Sequence, residues 1–253
     1  MSIHSELALA SEIEKGESIM NKAIQAFYYQ GSDQVSRIKM SIVDAQGRER
    51  RRELTMLRMN VDKNSGEQKY YAYFSYPTDI KKMVFMAFKN IQTEDDRWLY
   101  LPALDLVKRI AASDERTSFV GSDFFYEDVS GRSVALDQHT ILAEDEEYIT
   151  IKSSPKDSAK VKFNYYVSKI NKKNHIPMLV EYYDQQEKQY RRYKTLEIKN
   201  IEGYDTITKN QMTNLLNKNT TTVEYSNIKY SQGLSERIFS ERFLRRKPKK
   251  YVQ

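Results

Sequence analysis

Val35-Ser36-Arg37-Ile38-Lys39-Met40-Ser41-Ile42-Val43, then Asp44-Ala45-Gln46-Gly47, then Arg48-Glu49-Arg50-Arg51-Arg52-Glu53-Leu54-Thr55-Met56-Leu57-Arg58-Met59-Asn60-Val61, reads as a long β-hairpin. Ile38, Met40 and Ile42 alternate with Arg37, Lys39 and Ser41, so a period of two sets an apolar face against a polar one. Asp44 to Gly47 supplies the turn residues. The return strand is basic at its start and apolar further on, through Leu54, Met56 and Met59, so its character changes lengthwise as well as by face.

Before the hairpin the period is helical. Ile13, Ile19, Met20, Ala23, Ile24 and Phe27 recur mostly at three- and four-residue spacing, which predicts a helix from about Glu6 to Tyr29, ended by Gly31-Ser32-Asp33. Gly16 interrupts the pattern and is expected to separate a frayed first piece from a well-formed helix, Glu17 to Tyr29. After the hairpin come further strand-like runs: Gln68 to Tyr76, Met83 to Ile91, Arg97 to Leu101, Asp105 to Ile110, Thr140 to Ala143, Tyr148 to Ser153 and Lys160 to Ile170. Met178 to Asp184, Tyr190 to Ile201, Thr206 to Asn214 and Thr220 to Tyr230 complete them. The expectation is a mainly β chain of about 10–11 antiparallel strands, strongly curved because so many strands rarely stay flat. Strands such as Phe163-Tyr165-Val167 and Met178-Val180-Tyr182 carry large apolar residues on one face, which must be buried. With little helix available to cover it, the sheet either curls on itself or leaves a partly covered apolar hollow. Such a hollow would attract an acyl chain, at about 0.8 kcal/mol per CH₂.

Composition narrows the function classes. No run of 18 or more apolar residues occurs, which argues against a membrane-spanning helix. The start lacks a basic region followed by an apolar stretch, so any secretory signal has been removed or never existed. With no cysteine there is no disulfide, no thiolate metal site, no thiol nucleophile and no lipid-modified cysteine anchor. His4, His139 and His175 are isolated, and no phosphate loop or nucleophile elbow is present, so an enzyme is not expected and no cofactor or metal is implied. Glu94-Asp95-Asp96 and Glu144-Asp145-Glu146-Glu147 read as solvated turns rather than a cation site. The charge of +6 sits partly in the tail Arg245-Arg246-Lys247-Pro248-Lys249-Lys250, expected to be a solvated end, with peripheral contact to anionic headgroups as the sharper alternative. Glu49 and Glu53 break up the Arg48–Arg52 field, so nucleic acid is not an expected partner.

From Phe74 to Asp128 aromatic, Pro, Gly and acidic residues concentrate. Phe74-Ser75-Tyr76-Pro77-Thr78-Asp79-Ile80-Lys81, Trp98-Leu99-Tyr100-Leu101-Pro102-Ala103-Leu104, Arg109-Ile110 and Phe119-Val120-Gly121-Ser122-Asp123-Phe124-Phe125-Tyr126-Glu127-Asp128 follow in order. Together they resemble the signatures of the outer-membrane lipoprotein-sorting family, similar to the periplasmic carriers LolA and LolB. Weaker matches at Pro177–Asp184 and Tyr230–Phe243 extend the resemblance over nearly everything after Val35.

The resemblance implies an unclosed (half) antiparallel β-barrel over residues 35–253, with the segment 1–34 supplying a helix that packs on it in a single domain. Short helices act as a lid over an apolar cavity. It also implies a periplasmic location, lipid or lipoprotein acyl chains as cargo, and an inner-membrane transporter of the RND/MMPL kind as a partner. Two departures stand out: Lys82 replaces an expected Gly, suggesting a different turn after Pro77, and Val120 replaces a Met, a conservative change.

Candidate lining residues are Phe74, Met83, Phe85, Trp98, Tyr100, Leu101 and Leu104, then Phe119, Phe124, Tyr126, Phe163, Tyr165 and Tyr182. Plain core packing competes with that role at each of them. Trp98 and Tyr100 alternate with Leu99 and Leu101, so this strand is apolar on both faces and is expected to be central and covered. Pro77, Asp79, Pro102, Gly121 and Ser122 are read as structural, Asp123 as a turn residue, and Arg109 as an ion-pair partner of Asp123 or Asp128, with an anionic headgroup as the alternative. The reading that follows is a non-enzymatic carrier. Its rival is an envelope adaptor of the same fold that carries no lipid.

Overall fold

The computed structural model describes residues 3–62 and 66–252, with 3–12 as backbone alone. Its strands are β1 (Asp33–Val43), β2 (Glu49–Asn60), β3 (Gln68–Tyr76), β4 (Val84–Lys89), β5 (Asp96–Leu101), β6 (Leu106–Ile110), β7 (Asp137–Glu144), β8 (Tyr148–Pro155), β9 (Tyr165–Asn171), β10 (Pro177–Tyr183), β11 (Gln189–Ile201), β12 (Tyr204–Asn214) and β13 (Asn219–Tyr230). The helices are α1 (Ile3–Tyr28), α2 (Tyr126–Ser130) and α3 (Glu241–Arg245).

Alternating sequence makes the strands, and short turns make every ladder antiparallel. The order β6-β5-β4-β3-β2-β1-β13-β12-β11-β10-β9-β8-β7 forms one unclosed sheet of 13 strands, more than the 10–11 expected. The chain meanders from β1 out to the β6 edge, crosses to the opposite edge at β7, and meanders back until β13 pairs with β1. Residues 111–136 make that crossing, so they lie against the inner face and tie the two halves of the sheet together.

Period-two alternation sorts the core into two sides. Ile38, Met40, Leu54, Tyr70, Ala72, Phe74, Phe85 and Val223 face inward with Phe119 and Tyr126 of the crossing. Further round, Ile149, Ile151, Phe163, Tyr166 and Ile170 receive Ile19, Met20 and Ala23 of α1. On the outer side Leu57, Tyr71, Tyr73, Val84 and Met86 are covered by Leu234, Ile238, Phe239, Leu244 and Val252.

Several expectations are corrected here. Helix α1 is continuous through Gly16. That glycine marks a close approach, since a Cβ there would stand 2.6 Å from the His139 carbonyl oxygen on β7. Strand β5 is covered on both faces as expected, but it lies next to the β6 edge rather than centrally, because the outer cover comes from the returning C-terminal segment. The basic tail is not a free end: Tyr71 Oη donates to the Phe243 carbonyl at 2.9 Å, Leu244 and Val252 are buried, and Arg245 pairs with Glu241 and Asp105. Lys82 holds φ 71°, the left-handed conformation glycine favours, so the turn after Pro77 is of the kind a glycine would make. Val120 sits at φ 51°, which a β-branched residue tolerates poorly, so the change conserves apolar character but costs backbone strain on the order of 1 kcal/mol.

Candidate ligand-binding cavity

Between the inner face, α1 and the crossing lie two apolar compartments, one of about 140 Å³ and one of about 120 Å³. Ile38, Met40, Leu54, Met56, Val223 and Phe119 wall the first. The second lies among Met20, Ile24, Phe163, Val180, Tyr182 and Met212. Phe27, Tyr28, Phe124 and Asp128 line both and form the partition. The space is more divided than the connected cavity the sequence suggests, because the last turn of α1 drives Phe27 and Tyr28 into its middle. A cavity on the order of 150 Å³ holds a benzene-sized molecule. Each compartment therefore admits a short apolar segment, and a whole acyl chain requires the partition to move.

The roof is fastened by charge. Arg191 of β11 is nearly fully buried; its Nε and Nη2 donate to the Asp123 carbonyl at 3.3 and 3.1 Å, and Nη1 donates to Asp128 Oδ1 at 3.2 Å. Nη2 also pairs with Asp128 Oδ2. The same carboxylate accepts from the Phe125 amide at 2.6 Å, closing the first turn of α2. The guanidinium lies 3.9 Å from the Phe125 ring centre. Burial lowers the Arg191 pKa, but the Asp128 charge beside it and the adjacent hydroxyls and hydrogen bonds more than reverse this, leaving it raised. Asp123 is half-buried to buried, accepts from Thr221 Oγ1 at 2.7 Å, and is raised above the usual carboxylate range by burial, with Thr221 and Arg191 opposing.

Helix α1 is joined to this roof directly. Tyr28 Oη donates to the Asp128 carbonyl at 3.0 Å, and Gly131 leaves the space its ring needs, since a Cβ there would meet the ring at 2.7 Å. Lys89 Nζ, buried on β4, donates to the Ser130 carbonyl at 2.8 Å beneath the Tyr28 and Tyr29 rings, and burial brings it down to about 8. Arg132 links Glu127 and Asp137, and Arg116 links Glu115 and Glu127, so the crossing is laced with part-buried ion pairs.

The sequence-derived candidates scatter over these surroundings. Phe119 and Phe124 line the first compartment, Phe163 and Tyr182 the second. Phe74, Met83, Phe85, Leu101 and Tyr126 pack behind Phe119, with Phe85 and Phe119 ring centres 5.3 Å apart. Trp98 and Tyr100 lie on the outer face under the C-terminal segment. Leu104 is exposed, and Tyr165 stacks on Tyr183 at 4.7 Å away from the cavity. Pro77 follows a cis peptide, Asp79 lies in the 3-10 turn after it, and Pro102 opens the next such turn. Gly121 holds φ 77° beside Arg50, and Ser122 Oγ donates to the Phe119 carbonyl at 2.7 Å.

Arg109 does form an intramolecular pair, but with Asp96 on the neighbouring strand; Asp128 is taken by Arg191 and Asp123 by Thr221. Asp95 is no solvated turn residue, since it pairs with buried Arg97 at 2.8 Å and accepts from Ser130. Glu144 pairs with Lys15 and Lys172. His139 is enclosed between Ser153 Oγ and the Val134 carbonyl, at 2.8 and 3.0 Å. The side chain of His4 lies outside the described residues. Sequence reasoning missed Phe27, Tyr28, Arg58, Arg191, Ser36 and Asn210, all of which reach the cavity.

An open antiparallel half-barrel with a helix and a strand-crossing segment roofing an apolar cavity defines the LolA-like class of fold. A putative outer membrane lipoprotein-sorting protein domain from Vibrio parahaemolyticus superposes with a TM-score of 0.84 at 25% identity, covering 92% of this chain and 100% of that one. A DUF1329 family protein from Desulfovibrio piger gives 0.85 at 22% identity over 92% and 99% of the two chains. A LolA superfamily protein from Nitrosomonas europaea gives 0.68 at 17% over 90% and 98%. None of the curated proteins matches. A family model described as "Uncharacterized protein" matches residues 66–246. The chain belongs to that family, and its fold is that of the LolA-like structures, in agreement with the resemblance its ordered signatures carry.

Proposed function

We propose that this chain is a periplasmic, non-enzymatic carrier that holds the acyl part of a lipid or lipoprotein between the sheet and α1. It would exchange that cargo with an inner-membrane transporter of the RND/MMPL kind. The observation that carries the proposal is the divided apolar cavity, whose partition is made by two residues at the end of one helix and two residues of the crossing. Swinging Phe27 and Tyr28 aside joins the compartments. Each methylene then buried stabilises the complex by about 0.8 kcal/mol, so a chain of ten offsets several broken contacts at the roof. Transfer then needs only a better-matched site on the partner.

A second reading, an adaptor of the same fold that carries nothing, is favoured by how far the chain fills its own interior with Phe27, Phe119 and Phe124. Native mass spectrometry of gently purified protein, with lipid extraction, separates the two. The carrier reading expects an acyl-containing adduct in roughly unit stoichiometry. A bare mass that stays bare after incubation with envelope lipids would leave the adaptor.

A further inference from the structure

Three arginines are buried to a few per cent exposure among the described residues: Arg58, Arg97 and Arg191. Arg97 has Asp95 and Glu115 as ion partners, and Arg191 has Asp128. Arg58 differs. Its Nη1 donates to Asn60 Oδ1 at 2.9 Å and its Nη2 to the Gln30 carbonyl, both neutral acceptors, and among the described residues no carboxylate lies within ion-pair reach. The neighbouring Asp33 carboxylate is engaged elsewhere, by the amides of Gln232 at 2.6 Å and Leu234 at 2.9 Å. Burial pushes the Arg58 guanidinium below its usual value. A cation removed from water is costly unless an anion or several hydrogen bonds compensate it.

Arg58 lines the first compartment, and two further buried groups there lack partners. Ser36 Oγ, on β1 opposite Met56 and so diagonal to Arg58, and Asn210 Oδ1, on β12 opposite Val223, are shielded from solvent with no hydrogen bond. Asn210 Nδ2 meets Tyr225 Oη at 3.5 Å. Turning the amide end for end lets Oδ1 accept from Tyr225 and leaves Nδ2 as a donor into the cavity. The end of the compartment near Gln30 therefore offers a guanidinium and a hydroxyl, while Asn210, level with Val223 and Met40, lies further along the wall that Ile38, Leu54 and Val223 line.

We propose that the first compartment is the head-group site for a single-chain amphiphile with a carboxylate head, a long-chain fatty acid, seated on Arg58 and Ser36. The carboxylate is an acceptor at every lone pair and so can take both the guanidinium and the hydroxyl as donors, and its charge balances the buried cation. This rests on the carrier reading and names the class of cargo.

The test compares oleate with oleyl alcohol, which share a chain and differ in the head, by isothermal titration of the wild-type chain, Arg58→Gln, Arg58→Lys and Ser36→Ala. Oleate should bind roughly tenfold or more tightly than the alcohol, the size of a charge-assisted hydrogen bond. Arg58→Gln should abolish that preference while leaving alcohol binding intact, and Arg58→Lys should keep part of it. Ser36→Ala, which removes one buried hydroxyl, should lower oleate affinity several-fold in a protein that folds normally. Equal binding of acid and alcohol in every variant overturns the head-group site but leaves a carrier. Binding of neither ligand by the wild type overturns the carrier reading itself.

Discussion

Arg191 concentrates the chemistry of the roof in one guanidinium, which binds a carbonyl and a carboxylate of the crossing from the floor of the sheet. Its value lies in what remains when it is lost: Arg191→Leu leaves Asp128 as an uncompensated part-buried charge, which costs about 3–5 kcal/mol. Urea unfolding should show that loss, and Asp128→Asn added to Arg191→Leu should recover part of it; a change below 1 kcal/mol would mean the pair is not structural. Lys89 gives a pH signature. Its folded-state value of about 8 lies below the ordinary 10.5, so the unfolded chain binds more protons between those values and stability rises with pH there. The rise is on the order of 3 kcal/mol across the full window. It should be visible between about pH 8 and 9.5, before the tyrosines titrate, and absent in Lys89→Met; an identical slope in both proteins would contradict the assignment. Arg191 and Arg58 were legible in principle. Arg191 shares parity with Tyr193, and Arg58 with Leu54 and Met56, so each is a charge on an apolar strand face. What the sequence withholds is the partner, because Asp128 and Arg191 are 63 residues apart in the chain.

Elements were read more reliably than contacts. Alternation marks strands such as β1, β8, β9 and β12, continuous apolar runs mark β3 and β4, whose two faces meet two cores, and the helical spacing of Ile19, Met20 and Ala23 marks the buried stripe of α1. The outer cover was not legible, because Leu234, Phe239, Leu244 and Val252 lie in a segment with no repeating period and a run of basic residues. This segment should matter to stability. Leu244→Ala should cost about 2–5 kcal/mol as a buried leucine, read by thermal or urea unfolding. Ending the chain at Gly233 should expose Tyr71, Tyr73, Val84 and Met86 as an apolar patch and cause concentration-dependent aggregation in light scattering. A truncated chain that stays monomeric and as stable as the full one would contradict the role given to the tail.

For the whole molecule, one topological fact organises the rest. A meander that leaves from β1 and returns at β13 must cross from edge β6 to edge β7, and that crossing becomes the roof of the cavity. The aromatic and acidic signature from Phe119 to Asp128 lies in it, which explains why so dense a motif is not part of the sheet. Helix α1 completes the roof and divides the space beneath it. The account's central claim is that this helix must move for an acyl chain to enter. A disulfide engineered between α1 and the facing strand β7, in a chain with no other cysteine, tests it by uptake of a fluorescent acyl probe. Uptake should be lost when the bridge is oxidised and return on reduction; uptake that proceeds equally in both states would contradict the claim.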